Sequence, residues 1–302
     1  MDRGQYDVTH SYGNVVGCDV ITAQSCHRAG MDVIKSLPKK SIKSYLNYGI
    51  ADRVRLSIEH RNYTERRYRK VIAVSGGVRR EIMQYYNVPG KDIEVIPNGV
   101  DLVEFTPEHR EELREAVRGR LGIGADDFVL IFVAHEFDRK GLESIVRALS
   151  IPKLKEVKVL VLGGDNKIPY LQLATKLGVE KQVLFLGSVT DISTYYAASD
   201  VFVLPTYYEA FSLATLEAAA SGLPLLVTKV NGTEELVREG YNGYFVARDG
   251  ESIAEKLEFI LSDSQKLREL GMNARKSAEQ YSWDVIADKT LSVYEKIAGT
   301  ER

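Results

Sequence analysis

Two carboxylates, Glu209 and Glu217, stand eight positions apart in the stretch PTYYEAFSLATLEAAASGLP (205–224). A strand ending at Pro205, a loop carrying Glu209, and a helix opening near Phe211 and Ser212 and closing at Gly222 place a helix N-terminus beside the first carboxylate. Unpaired amides at such a terminus, together with the positive end of the helix dipole, suit a diphosphate. The two carboxylates can each hold hydroxyl groups, one set on a sugar and one on a ribose. Glu217 lies among Ala214, Leu216, Ala218, Ala219 and Ala220. It is therefore either a buried carboxylate with a hydrogen-bond partner or an exposed helical glutamate, and Glu209 is either a ligand group or a plain loop carboxylate. The second set is HEFDRKG (135–141). Arg139 can grip phosphate oxygens with two parallel hydrogen bonds and Lys140 supplies a point charge, each such bond contributing about 1.5–3 kcal/mol. A solvated loop pair is the plainer reading of these two residues.

Other chemistries are absent from the chain. It has no G-x-S-x-G, no G-x-x-x-x-G-K-[ST] and no G-x-G-x-x-G, and His135-Glu136 lacks the second histidine of H-E-x-x-H. Hydrolase, zinc-protease, P-loop and NAD readings fall away. Cys18 and Cys26, the two cysteines, form no C-x-x-C and have no histidine cluster, so they read as free thiols in a reducing compartment. No metal site is expected.

The elements that must position these residues are legible from Phe128 onward. Short β-branched runs at 128–135, 157–164, 183–189, 201–207 and 223–230 alternate with amphipathic stretches at 141–150, 168–178, 191–199 and 212–222. Near-continuous apolar strands are buried on both faces, and β-α alternation implies a parallel sheet wrapped by helices. Ligands of such sheets bind outside the carboxyl ends of the strands, where the loops 134–141, 163–168, 187–191 and 206–212 gather. A weaker version of the pattern precedes it, with strands at 7–10, 19–23, 70–75 and 93–99 and a long helical stretch at 41–69. A charged helix over 108–120 begins after Pro107.

The chain has 302 residues, 44% hydrophobic and 27% charged, with a net charge of −2. That composition excludes disorder, collagen and coiled coil, and the length favours two domains. No run of about 18 apolar residues and no signal peptide is visible, so the cytoplasm is expected. Residues 35–70 hold eleven basic side chains against three acidic ones, interleaved with Tyr45, Tyr48, Tyr63 and Tyr68. This suits anionic lipid head groups or a polyanionic acceptor, against the alternative of a solvated helix face, and leaves nucleic acid without a recognition module.

Taken together, these phrases resemble the family 4 retaining glycosyltransferases of GT-B fold. Glu209 to Glu217 matches their Glu-x7-Glu motif, and VIAVSGGVRREI (71–82), VIPNGVD (95–101), RKGLESIVRAL (139–149), LGGD (162–165), VLFLGSV (183–189), NGTEELVREGYNGYFV (231–246) and YSWDVIADKTLSVYEKI (281–297) follow in the family's order. The nearest look is to lipopolysaccharide-core glucosyltransferases, whose loop also carries Arg-Lys-Gly. The resemblance implies an α/β protein of two Rossmann-like domains with parallel sheets. On this resemblance residues 1–105 would form a partial acceptor-side domain, 106–302 would bind the nucleotide-sugar, and the helix 283–298 would cross back to the first domain. It further implies a donor that is a UDP-sugar, a glycan or lipid-linked acceptor, and transfer with retention and without metal or other cofactor. Arg139 and Lys140 would hold the diphosphate and stabilise the leaving nucleotide. Glu209 would contact donor sugar hydroxyls with the amides of Phe211, Ser212 and Leu213. Glu217 would take the ribose hydroxyls, and Val189 would lie along the base. The enzyme would be peripheral on the inner face of the membrane through residues 35–70.

Three departures qualify the match. The family's opening strand, glycine turn and long helix, about 70–100 residues on a usual domain size, are expected to be missing. The usual arginine of the phosphate loop is His135, for which Arg139 would compensate. The expected histidine of the first domain aligns with Gln24, with His27 one helical turn on; His10, His60 and His109 receive no role. The alternative function is a nucleotide-sugar-binding remnant or one half of a two-chain transferase, with an epimerase as a third reading.

Overall fold

A strand covered on both faces must satisfy its backbone from neighbours alone, and a parallel ladder does so when helices return the chain. The structure, a computed structural model, describes residues 6–13, 15–36 and 49–299. These described residues divide into two compact units, one lying within 1–99, 208–211 and 283–302 and the other within 100–207 and 212–282.

The first unit contains a parallel sheet in the order β1-β2-β3-β4, namely β1 (His10–Ser11), β2 (Val20–Ala23), β3 (Lys70–Ala73) and β4 (Ile93–Val95). The helix Trp283–Gly299 places Ile286, Val293 and Ile297 against Val20, Ile72 and Ile96 of this unit. It needs no following strand because its apolar stripe is covered there. The helical stretch expected over 41–69 is shorter where it is described, running from Ile50 to Thr64. Arg66 adopts a left-handed φ of 48°, which an α-helix cannot continue through. Lys39, Lys40, Lys43, Tyr45 and Tyr48 of the basic segment lie outside the described residues. Cys18 and Cys26 are free and buried, and burial with the Glu59 charge pushes the Cys26 thiol up to about 12, so it stays protonated and unreactive.

The second unit carries a parallel sheet in the order β10-β9-β8-β5-β6-β7. Its strands are β5 (Phe128–Val133), β6 (Val157–Leu162), β7 (Val183–Gly187), β8 (Val201–Leu204), β9 (Leu225–Val227) and β10 (Gly243–Phe245). Strand order reverses between β5 and β8, which pair through Leu130 with Val201 and Ile131 with Phe202. A crevice opens at such a switch point, at the carboxyl ends of the strands.

One electrostatic feature ties the helix Glu108–Leu121 to this sheet. Arg110, Arg114 and Arg118, spaced by four on one helix face, converge on Asp200 at 2.6, 2.7 and 2.8 Å. Asp200 Oδ2 also accepts the Val129 amide of β5 at 2.9 Å. Arg118 donates further to the carbonyls of Ala198, Gly124, Ala125 and Asp127. Burial pushes the Arg114 guanidinium down to about 10, with the Asp200 charge opposing, so it remains charged at neutral pH.

Candidate functional site

The turn after β5 is more ordered than the loop its sequence suggests. Phe137–Lys140 form a four-residue helix ended by Gly141. A single turn cannot sustain itself, and distant groups hold this one. The Phe137 amide donates to Asp165 Oδ2 at 2.8 Å, and its buried ring packs edge-on against Phe132 and Tyr170. Gly141 has φ +89°, and a Cβ there would lie 2.1 Å from the Pro205 carbonyl oxygen, so only glycine lets the turn approach the end of β8. Arg139 and Lys140 are half-buried on this turn. Arg139 donates through Nε and Nη2 to Glu136 Oε2 at 2.9 and 2.5 Å. Burial works against the Glu136 charge, but the hydrogen bonds of Arg139 and the charges of Arg139, Lys140 and His135 outweigh it and hold the carboxyl below its ordinary value. His135 is exposed.

The neighbouring loop leaves β8. The Tyr207 amide donates to the Arg139 carbonyl at 3.1 Å, so the two loops share a backbone bond. Ser212 caps the helix Leu213–Ala220, its Oγ accepting the Thr215 amide at 3.2 Å. Leu213 and Ala214 stand in the first turn, where amides have no acceptor within their own helix. Gly222, at φ +74°, closes the helix end. Glu217 is half-buried on it, and the Tyr196 hydroxyl lies 3.1 Å from both Glu217 Oε2 and the Ala214 carbonyl oxygen, sharing one proton between them. Val189 follows β7 and the left-handed Gly187. The second unit thus carries Arg139, Lys140, Val189, Ser212 and Leu213 on loops and helix ends that follow β5, β7 and β8, with Glu217 further along the helix Leu213–Ala220.

Glu209 and Phe211 group with the first unit, within Tyr208–Phe211. Both are buried, at 6% and 7% exposure. In that unit the Tyr208 hydroxyl donates to Glu81 Oε2 at 2.9 Å. Gln24 donates to Asn98 Oδ1 at 3.3 Å, His27 Nε2 lies 3.3 Å from Asp52 Oδ1, and the His27 amide donates to Glu59 Oε2 at 2.7 Å.

Burial raises the Glu217 carboxyl above its ordinary value, with the Tyr196 hydrogen bond opposing and the Glu104 charge assisting. A carboxyl raised in the folded state stabilises the fold fully below the unfolded value and loses that contribution as pH rises through the folded one. Ionised Glu217 therefore costs stability at neutral pH. Glu217→Gln should melt higher than the parent at about pH 7.5 and at the same temperature near pH 3.5; a variant that melts lower at pH 7.5 contradicts this environment.

Sequence reading missed Tyr196, Asp165, Tyr207 and Arg248. The Tyr195-Tyr196 doublet in DISTYYAASD reads as ordinary core periodicity, and nothing marks its hydroxyl as a partner for Glu217. Asp165 was visible only as the end of LGGD. Among the described residues no group of three His, Cys, Asp or Glu side chains is arranged to hold a metal ion, and no helix is long and apolar enough to cross a membrane.

Comparison with known proteins shows the family. The family model described as glycosyl transferases group 1 matches residues 113–277, and that of glycosyltransferase family 4 matches residues 3–104. An uncharacterized glycosyltransferase of Methanocaldococcus jannaschii, MJ1607, is 35% identical over 237 residues, covering 76% of this chain and 60% of the relative. Across the curated relatives it matches, the chain spans roughly half to three fifths of their length. The crystal structure of WaaG, a glycosyltransferase involved in lipopolysaccharide biosynthesis, superimposes with a TM-score of 0.77 at 26% identity, over 97% of this chain and 77% of WaaG. Anabaena HepE in complex with UDP-glucose gives a TM-score of 0.68 at 25% identity, over 94% of this chain and 78% of HepE.

Proposed function

This chain belongs to the glycosyl transferases group 1 family and has the GT-B fold of two parallel sheets, and from that premise we propose that it transfers a sugar from a UDP-sugar to a glycan or lipid-linked acceptor with retention of configuration and without a metal. The observation that carries the reading is the cationic turn Phe137–Lys140 hydrogen-bonded to the loop after β8, at the switch point of the second sheet. Anions are favoured at such a place by two positive side chains and a helix start together. The UDP-glucose bound by HepE supports the choice of donor class.

In this reading Lys140 holds the diphosphate and neutralises charge as the nucleotide leaves. Arg139 joins it by exchanging Glu136 for a phosphate oxygen. The Ser212 and Leu213 amides approach the same anion, Glu217 takes the ribose hydroxyls with the oxygen that Tyr196 leaves available, and Val189 lines the base. Glu209 and the Phe211 amide contact the donor sugar. Among the described residues no side chain stands out as a nucleophile, so in this reading the leaving phosphate is stabilised electrostatically and the acceptor attacks on the face it leaves. Incubating the protein with an α-linked UDP-sugar, acceptor and EDTA should yield an α-linked product by NMR. An inverted anomer, or dependence on added metal, sinks the assignment.

The acceptor side of the proposal rests on the helix Ile50–Thr64, where exposed Ile50 and Val54 stand beside exposed Arg53, Arg55 and Arg61. Such a face suits an anionic membrane that presents a lipid-linked acceptor. Co-sedimentation with anionic vesicles should be strong at low salt and fall with added salt, whereas equal binding to neutral vesicles would remove this part of the reading.

A further inference from the structure

Arg248 lies outside every motif noted in the sequence, in ARDG (247–250) between β10 and the helix Gly250–Leu261. Its backbone is held by Ser144, whose hydroxyl donates to the Arg248 carbonyl at 3.1 Å. Its guanidinium does three things at once. Nη1 donates to the Arg139 carbonyl at 2.5 Å, Nη2 donates to the Asp138 carbonyl, and the group lies over the Tyr207 ring at 3.0 Å from its centroid.

These contacts join elements that are separate in sequence. The Asp138 and Arg139 carbonyls belong to the last residues of the four-residue turn; Asp138 takes the capping Gly141 amide at 3.2 Å, and both carbonyls lie at the turn's end, where intrahelical bonding runs out. A cation at a helix C-terminus is favoured by the dipole as well as by the hydrogen bonds. The Arg139 carbonyl receives both Arg248 Nη1 and the Tyr207 amide, so its two lone pairs are used. Tyr207 lies in the loop after β8, and the Thr228 hydroxyl donates to the neighbouring Thr206 carbonyl at 2.6 Å, linking the end of β9 to the same group of loop ends.

We propose that Arg248 is a positioning residue of the donor site: its guanidinium clamps the Phe137–Lys140 turn to the loop after β8 and so fixes Arg139 and Lys140 where the donor diphosphate binds. This rests on the donor reading above. Arg248 spends its hydrogen bonds on carbonyls and stacks one face on an aromatic ring, so it acts through the turn rather than on the ligand. Lysine replaces it only in part, since an ammonium lacks the planar face that stacks on Tyr207 while the fork reaches two carbonyls.

The test compares the parent with Arg248→Ala and Arg248→Lys. In the unliganded proteins, amide hydrogen exchange at Lys140, Gly141 and Tyr207 should speed by about tenfold or more in Arg248→Ala, with β6 and β7 unchanged. UDP affinity should fall by about tenfold or more, with a small change in melting temperature, and methylguanidinium at about 20 mM should recover part of it. Arg248→Lys should be intermediate and covers the case in which the alanine variant does not fold. Parent-like exchange at the three amides overturns the clamp. Faster exchange with unchanged UDP affinity overturns the positioning role. If the parent itself binds no nucleotide, the donor reading fails while the exchange data still decide the clamp.

Discussion

Lys140→Ala is expected to lower UDP affinity by about 10- to 100-fold and turnover by about 10²–10³. The first figure follows from removing one or two charge-assisted hydrogen bonds to a diphosphate, and the second from losing a preorganised charge aimed at the oxygen that becomes more negative as the nucleotide departs. The half-buried Lys140 sits on a turn fixed by Asp165 at one end and Arg248 at the other, so its placement is prepaid and the loss should exceed that of a surface lysine. Arg139→Ala should cost less, because the guanidinium must first leave Glu136. Titration calorimetry with UDP and single-turnover kinetics measure the two effects. Equal UDP affinity in Lys140→Ala and the parent contradicts the phosphate assignment.

Asp200→Ala should destabilise the second unit by about 3–5 kcal/mol, the cost of removing one partner from a buried charge cluster. Three guanidinium groups would be left facing one another and the carbonyls at the end of the helix Ser193–Ala198. Arg110 is the most solvent-exposed of the three and contributes least after screening, whereas Arg118 is 3% exposed and has nowhere to turn. The Val129 amide of the central strand loses its side-chain acceptor as well. A fall in melting temperature of about 10 °C is expected, read by calorimetry on the unliganded protein. A fall of about 1 °C or less shows that the cluster is solvated rather than structural.

Where the sequence was legible, the physical reason is burial on two faces. The runs at 128–135, 157–164, 183–189 and 201–207 contain β5, β6, β7 and β8 because a central parallel strand has no polar side to show. The edge strand β10 escaped notice because only three residues pair. Its first, Gly243, has no side chain, since a Cβ would lie 2.1 Å from the Leu225 carbonyl oxygen. The turn Phe137–Lys140 read as loop for a different reason: its helical form depends on Asp165 and Arg248, which no local pattern connects to HEFDRKG. Glu217 could be recognised as a carboxylate in apolar company that needs a donor. The identity of that donor could not, because Tyr196 comes from another helix and looks like packing. Arg110, Arg114 and Arg118 look like any charged helix face until Asp200 is seen opposite them.

The central claim is that the second unit holds a nucleotide-sugar donor. Melting temperatures with UDP, GDP and ADP, each with EDTA present, test it most directly, because a ligand at about 100 times its dissociation constant adds about 2.7 kcal/mol to the folded state. The account predicts a rise with UDP, smaller or absent rises with GDP and ADP, and loss of the UDP effect in Lys140→Ala and Glu217→Ala. No shift with any of the three in the parent protein would contradict it.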